Sequence, residues 1–212
     1  MTTINHPDAA WLVSYSAAGL TSSYNMVLKA HLAVCAQCRN TLKQADELGA
    51  EFMFGESPET MDSIPSPTPQ LGVKVEDAIE WSKDQGTDLT EFFDQYVGKH
   101  LDCFKWMTAG KGLKVCKLSA NEDDRMWMLR AQPGTVLPKH SHSGSELTLV
   151  LKGSYLSQET IYRVGDIEDA DDSHVHQPVV SSDEECICVA AVDGPLKFSA
   201  LLPRIAQPFL GI

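Results

Sequence analysis

The sequence predicts an α + β protein in two domains, a small helical bundle stapled by a metal ion and, after it, a β-barrel or sandwich. Three observations carry this. Apolar residues recur at helical spacing through the first 56 residues, the period falls to two from about Leu101, and a proline-rich stretch separates the two regimes. At 212 residues and 43% hydrophobic content, there is enough apolar material for a core in each half.

The first helix is expected over Asp8 to Ala18, rich in Ala, Leu, Trp and Val, with Gly19 as its C-cap. Thr21, Ser22 and Ser23 offer an N-cap for a second helix from Tyr24 to Cys35. A third runs from Gln37 to Phe54, with Leu42, Ala45, Leu48 and Phe52 at helical spacing and only Gly49 interrupting. Pro58, Pro65, Pro67 and Pro69 then deny a helix, so 57–72 reads as a linker. VKVEDAIEWS, Val73 to Ser82, restores a short amphipathic helix whose Val75, Ile79 and Trp81 would dock on a partner or on its own module. The resulting division is a separable helical domain at 1–85, a linker at 86–100, a β domain at 101–202 and a tail at 203–212. Seven segments in the β domain alternate or are β-branched: GLKVCKLSA, RMWMLRAQ, ELTLVLKGSYL, IYRVGDIEDA, HVHQPVV, ECICVAAV and LKFSALL.

The formal charge of −12 is spread evenly: the first 84 residues hold 5 Lys/Arg and 11 Asp/Glu, the remainder 12 and 18. Such a chain repels nucleic-acid phosphates, which argues against direct DNA binding, and suits a basic partner; solubility alone accounts for it equally well. Met1 to Ala10 is polar, and no run approaches the roughly 18 apolar residues of a membrane span. The expected location is therefore the cytoplasm, with no membrane contact.

In the helical half, His31-x-x-x-Cys35-x-x-Cys38 places an imidazole and a thiolate on one helix face and a second thiolate a turn further on. These are three corners of a tetrahedral zinc site, and His6, the other histidine of this half, is the candidate for the fourth. A redox pair at Cys35 and Cys38 is the plainer alternative. A bundle of about 50 residues gains much from such a staple. The helical arrangement, with a histidine 25 residues ahead of H-x-x-x-C-x-x-C, resembles the zinc-binding anti-sigma family. That resemblance covers about residues 1–85 and implies a module that wraps an alternative sigma factor and blocks its contacts with RNA polymerase.

The β half carries a sharper pattern. Gly134, His140, His142, Glu146 and Gly153 fit the first cupin motif, G-x5-H-x-H-x3-E-x6-G, at every fixed position. Residues two apart on a strand share a face, so both imidazoles point inward, and Glu146 returns to that face. In the second motif, Gly165 and His176 are in register, whereas the usual proline, second glycine and asparagine are replaced by Asp171, Ser173 and Val180. His174 competes with His176 for the ligand role, and spacing favours His176. Three imidazoles and a carboxylate suit zinc, iron, manganese or nickel. A four-ligand zinc site would be closed and structural; open positions on iron would permit oxygenase or isomerase chemistry. Cys186 and Cys188 lie on one strand face but about 7 Å apart along it, too far for an easy disulfide. They read as core residues or as oxidation targets near the metal. Cys103 and Cys116 carry no spacing signal.

The two modules in this order resemble the ChrR-type anti-sigma factors over nearly the whole chain. The resemblance implies two zinc ions per chain, with the cupin's ion zinc or another divalent transition metal. It also implies a group IV (extracytoplasmic function) sigma factor as partner, bound one to one, and release of that partner under oxidative stress, including singlet oxygen, with the cupin as sensor. A cupin enzyme or a small-molecule-binding cupin are the alternatives; the absence of a large insertion to shape a substrate pocket favours the regulator.

Overall fold

A computed structural model describes residues 5–54, 88–97, 100–119 and 124–199. The expected linker 57–72, the expected helix from Val73 to Ser82 and the tail 203–212 lie outside the described residues.

Three helices open the fold: α1 (Ala9–Ser16), α2 (Ser22–Val34) and α3 (Ala36–Phe54). Asp8 caps α1, its carboxylate accepting from the Ala10 N–H at 2.8 Å. At the other end Ala18, not Gly19, takes the left-handed conformation (φ 52°), and the Gly19 N–H closes onto the Ser14 carbonyl. The N-terminus of α2 is satisfied from far along the chain: the Ser23 N–H donates to Asp124 at 2.9 Å. Gly49 leaves α3 unbroken.

A fourth helix, α4 (Leu89–Val97), occupies most of the expected 86–100 linker. Its cause is local. Asp88 is an N-cap whose carboxylate accepts from the backbone of Thr90 and Glu91, and Leu89 and Phe93, one turn apart, are both buried. The next residues, Leu101–Cys103, form a single 3-10 turn.

Eleven strands are found among the described residues: β1 (Met107–Gly110), β2 (Leu113–Lys117), β3 (Arg125–Ala131), β4 (His140–Ser141), β5 (Glu146–Lys152), β6 (Ser154–Ser157), β7 (Thr160–Arg163), β8 (Ile167–Ala170), β9 (Val179–Val180), β10 (Cys186–Val192) and β11 (Lys197–Phe198). Two of the seven expected segments split at glycines. Gly153 (φ 71°) turns the chain between β5 and β6 so close to the Glu185 carbonyl that a Cβ would lie 2.3 Å from it. Gly165 (φ 91°) does the same between β7 and β8. All strand pairings are antiparallel. The large sheet runs β1-β2-β3-β10-β5-β8, and the small sheets are β7-β6-β9 and β11-β4.

The central strands do not alternate as a half-exposed sheet would. Every residue of β10 and all but the last of β5 are buried. One face of the large sheet meets the smaller sheets across Val150, Tyr155 and Val180. The other face, through Leu147, Leu149, Val189 and Ala191, shares a continuous core with Val27, Leu28 and Leu32 of α2, Leu12 of α1 and Phe93 of α4. The helical residues and the cupin sheet are thus packed into one body.

Candidate metal centres and cavity

The first centre gathers around the end of α2. His31 lies in its last turn, Cys35 follows it directly, Cys38 lies in the first turn of α3, and His6 precedes α1. His31 Nε2 stands 3.2 Å from Cys38 Sγ, and His6 Nδ1 stands 3.3 Å from Cys35 Sγ and 3.5 Å from Cys38 Sγ. Tetrahedral bonds of about 2.0 Å to nitrogen and 2.3 Å to sulfur separate such ligand atoms by roughly 3.5 Å, so the four donors fit one ion. His31 Nδ1 lies 2.7 Å from the Gly165 carbonyl, where it donates, leaving Nε2 bare for a metal. The neighbouring Cys35 thiol, together with burial, pushes the Cys38 thiol well above its ordinary range. The Cys38 N–H supports Cys35 Sγ at 3.4 Å.

His6 is held by the sheet rather than by the helices. The Ile167 N–H donates to the Asn5 carbonyl, the Asn5 amide reaches Asp166 at 2.9 Å, and the Asp8 N–H donates to Asp169 at 2.9 Å. The segment entering α1 therefore lies along β8, the edge strand of the large sheet.

The second centre lies inside the cupin. His140 comes from β4, His142 follows it, and His176 lies opposite, its backbone exchanging two hydrogen bonds with His140. The three Nε2 atoms converge: His142 to His176 at 3.2 Å and His140 to His176 at 3.0 Å. Three lone pairs aimed at one point repel unless a cation sits among them. Each Nδ1 faces an acceptor: the Pro138 carbonyl at 2.8 Å for His140, Glu146 at 3.1 Å for His142, and Glu168 at 2.9 Å for His176. The hydrogen bonds to the Pro138 carbonyl and to Glu168 fix the His140 and His176 rings with Nε2 free, the arrangement that metal-binding imidazoles adopt. His174 points elsewhere, half-exposed beside Asp171.

Glu146, expected as a fourth ligand, is not within the converging group. One of its oxygens accepts from the Thr148 hydroxyl at 2.8 Å and the other forms an ion pair with His142 Nδ1, outside hydrogen-bond angles. Burial raises its pKa, but the contact and charge of His142, with His140 and His176, prevail and hold it down to about 2. Glu168 is likewise held below the usual carboxylate range: burial opposes this, and His176 outweighs it.

Beside the imidazoles lies a cavity of about 470 Å³, mostly apolar, lined among others by Leu113, Trp127, Leu129, Tyr155 and Phe198. The space between the sheets provides this cavity without any large insertion. Cys186 and Cys188 line the same cavity, and their sulfurs are 3.5 Å apart rather than the 7 Å expected of a straight strand. The pairing of β10 with β5 slips between Ile187 and Cys188, and this bulge bends the strand where the two side chains converge. Cys116 is buried in the helix-side core and Cys103 is exposed.

The profile of the ChrR cupin-like domain matches residues 94–196. The anti-sigma-E factor ChrR of Cereibacter sphaeroides is 32% identical over 214 residues, covering 100% of both chains. This chain belongs to the ChrR family. In three dimensions it is similar to ChrR in the crystal structure of Rhodobacter sphaeroides SigE in complex with the anti-sigma ChrR, with a TM-score of 0.69 and 29% identity over 90% of this chain and 100% of that one. Within this ChrR-family chain, sequence reasoning missed Glu168 and the Gly165 carbonyl. Glu168 looks like any alternating strand residue, and a backbone acceptor leaves no signature in sequence at all.

Proposed function

We propose that this chain is an anti-sigma factor, not an enzyme, that holds a group IV sigma factor through its helices in the cytoplasm and releases it under oxidative stress sensed by the cupin. Its full-length similarity to a ChrR anti-sigma factor supports this reading, and no described helix is long and apolar enough to cross a membrane. The observation that carries it is an apolar surface left open on the helices. Phe52 and Leu48, one turn apart on α3, are 77% and 54% exposed, and Val13 on α1 is 55% exposed. Zinc at His6, His31, Cys35 and Cys38 holds α2 and α3 at a fixed angle and so shapes this surface. His140, His142 and His176 hold zinc or another divalent transition metal, which would supply a Lewis-acidic centre in the cupin; Glu168 orients the His176 ring.

Co-expression with a group IV sigma factor from the source cell tests this, with capture on a tag and metal analysis of the product. A stoichiometric complex with two metals per chain is expected. The Leu48→Asp/Phe52→Asp variant should weaken it by more than about 30-fold, as loss of a buried aromatic anchor does. Undiminished capture by that variant would move the interface elsewhere. The Cys186→Ser/Cys188→Ser variant should still inhibit in unstressed cells and fail to respond to singlet oxygen; a full response would remove the thiols from the signal path.

A further inference from the structure

We propose that Tyr24 is the positioning residue through which the cupin centre acts on the helices, its hydroxyl tying α2 to the loop that joins His142 to Glu146. The inference deepens the proposed release of a sigma factor and rests on that reading. The loop is three residues long, Ser143, Gly144 and Ser145, and it is fastened to the chain that follows β10. The Ser143 hydroxyl donates to the Pro195 carbonyl at 2.8 Å. The Ser145 N–H donates to the Asp193 carboxylate at 3.3 Å, and the Asp193 N–H returns to the Ser145 carbonyl at 3.1 Å. Gly144 lies so near Asp193 that a Cβ would stand 3.0 Å from that side chain. A further contact comes from the helices: the Tyr24 hydroxyl donates to the same Ser145 carbonyl at 2.7 Å. Other hydrogen bonds from the helices to the cupin, Ser23 to Asp124 and His31 to Gly165, end outside this loop.

Tyr24 is buried, and burial, with Asp193 beside it, pushes the phenol up, so the hydroxyl remains a donor. Displacing the loop by about 1 Å would carry this contact beyond hydrogen-bond length. A buried hydroxyl is costly to leave without its acceptor, so the ring follows the loop. Asp193, the neighbouring acceptor, is bound to the same loop and moves with it. Nor does the ring move by itself, because Trp11 of α1 stacks on it with centroids 4.7 Å apart and planes 28° from parallel. α1 also carries the exposed Val13, and its Ser16 hydrogen-bonds to Asp46 of α3, the helix that presents Leu48 and Phe52. A rearrangement at His142 thus passes by direct contact through the loop, Tyr24 and Trp11 to the open apolar surface of the helices.

Two experiments on the full chain separate this coupling from the anti-sigma reading. In a chain that keeps Trp11 as its only tryptophan, His140→Ala disturbs the cupin centre and should shift the Trp11 emission; Tyr24→Phe should abolish that shift. An equal shift in both backgrounds, or none in either, overturns the proposal. In cells, transcription dependent on the sigma factor is followed with and without singlet oxygen. Tyr24→Phe should keep its metals and repress as the unaltered chain does, while its response to singlet oxygen falls at least about 5-fold, the lower range of coupling between sites. A full response, or lost repression in unstressed cells at full metal content, overturns it. Should Tyr24→Phe fail to fold, Trp11→Leu keeps the hydroxyl, removes the stacked ring and should blunt the response alike; a full response from that variant is equally fatal. An unaltered chain that captures no sigma factor defeats the anti-sigma reading, whereas the fluorescence still decides the coupling.

Discussion

Replacing Leu28 by alanine tests whether the helices and the cupin are one folding unit. Leu28 is fully buried on α2, in the core it shares with Leu147 and Leu149 of β5 and Val189 of β10. Truncating a leucine at such a site costs about 3 kcal/mol, the lost transfer energy plus the cavity left behind. For a protein of this size each kcal/mol lowers Tm by about 2–4 °C, so the midpoint should fall by about 6–12 °C. Two tryptophans report on the two halves: Trp11 stacks on Tyr24 at 4.7 Å among the helices, and Trp127 lines the cupin cavity. Single-tryptophan variants retaining one or the other should show transitions that shift together. A Trp127 transition that stays in place while the Trp11 transition moves would refute the shared core and restore two independent modules.

Cys35→Ser or Cys38→Ser should each remove one metal per chain and loosen α2 and α3; retention of both metals would be inconsistent with the four-donor site. Glu168→Gln leaves His176 with a weaker acceptor and should lower cupin metal affinity by about 10- to 100-fold, read by competition with a chelator; an unchanged affinity would leave Glu168 without a positioning role. Glu185 accepts from Arg130 at 2.8 Å and pairs with Lys152 at 3.0 Å, and these contacts, Arg130 first, hold its pKa below the ordinary 4.5. A depressed pKa means stability that is fully present above 4.5 and is lost as pH falls through the folded value. Glu185→Gln should therefore cost about 1 kcal/mol at pH 7 and nothing at strongly acid pH; equal losses at both would exclude an ionic origin.

The candidate metal ligands were legible because their spacings follow from element geometry. His31 and Cys35 are one helical turn apart, and His140 and His142 share a strand face. Strand positions were legible too, but their number was not, because glycines such as Gly153 and Gly165 turn within apolar stretches that read as continuous. The helix at Leu89–Val97 was hidden by its short length after a proline-rich region, although Asp88 and the Leu89–Phe93 pair mark it in retrospect. Period alone did not reveal the docking of the helices on the sheet. Strands buried on both sides read as plain apolar runs, and nothing in CICVAAV distinguishes the side facing α2 from the side facing the cavity. Asp124 capping α2 and Glu168 supporting His176 depend on tertiary contacts that sequence spacing does not encode.

Five consecutive residues, Gly165 to Asp169, serve both centres at once. Gly165 props His31, Asp166 and Ile167 grip the segment carrying His6, Asp169 tethers the start of α1, and Glu168, facing the other way, steadies His176. A slip of one residue would exchange these faces, sending Glu168 toward the helices and Asp169 into the cavity. The strand thus works as a shared key with teeth on both edges, turning in two locks. It seats in both candidate centres or in neither, and no residue along it is free to adapt to one without answering to the other.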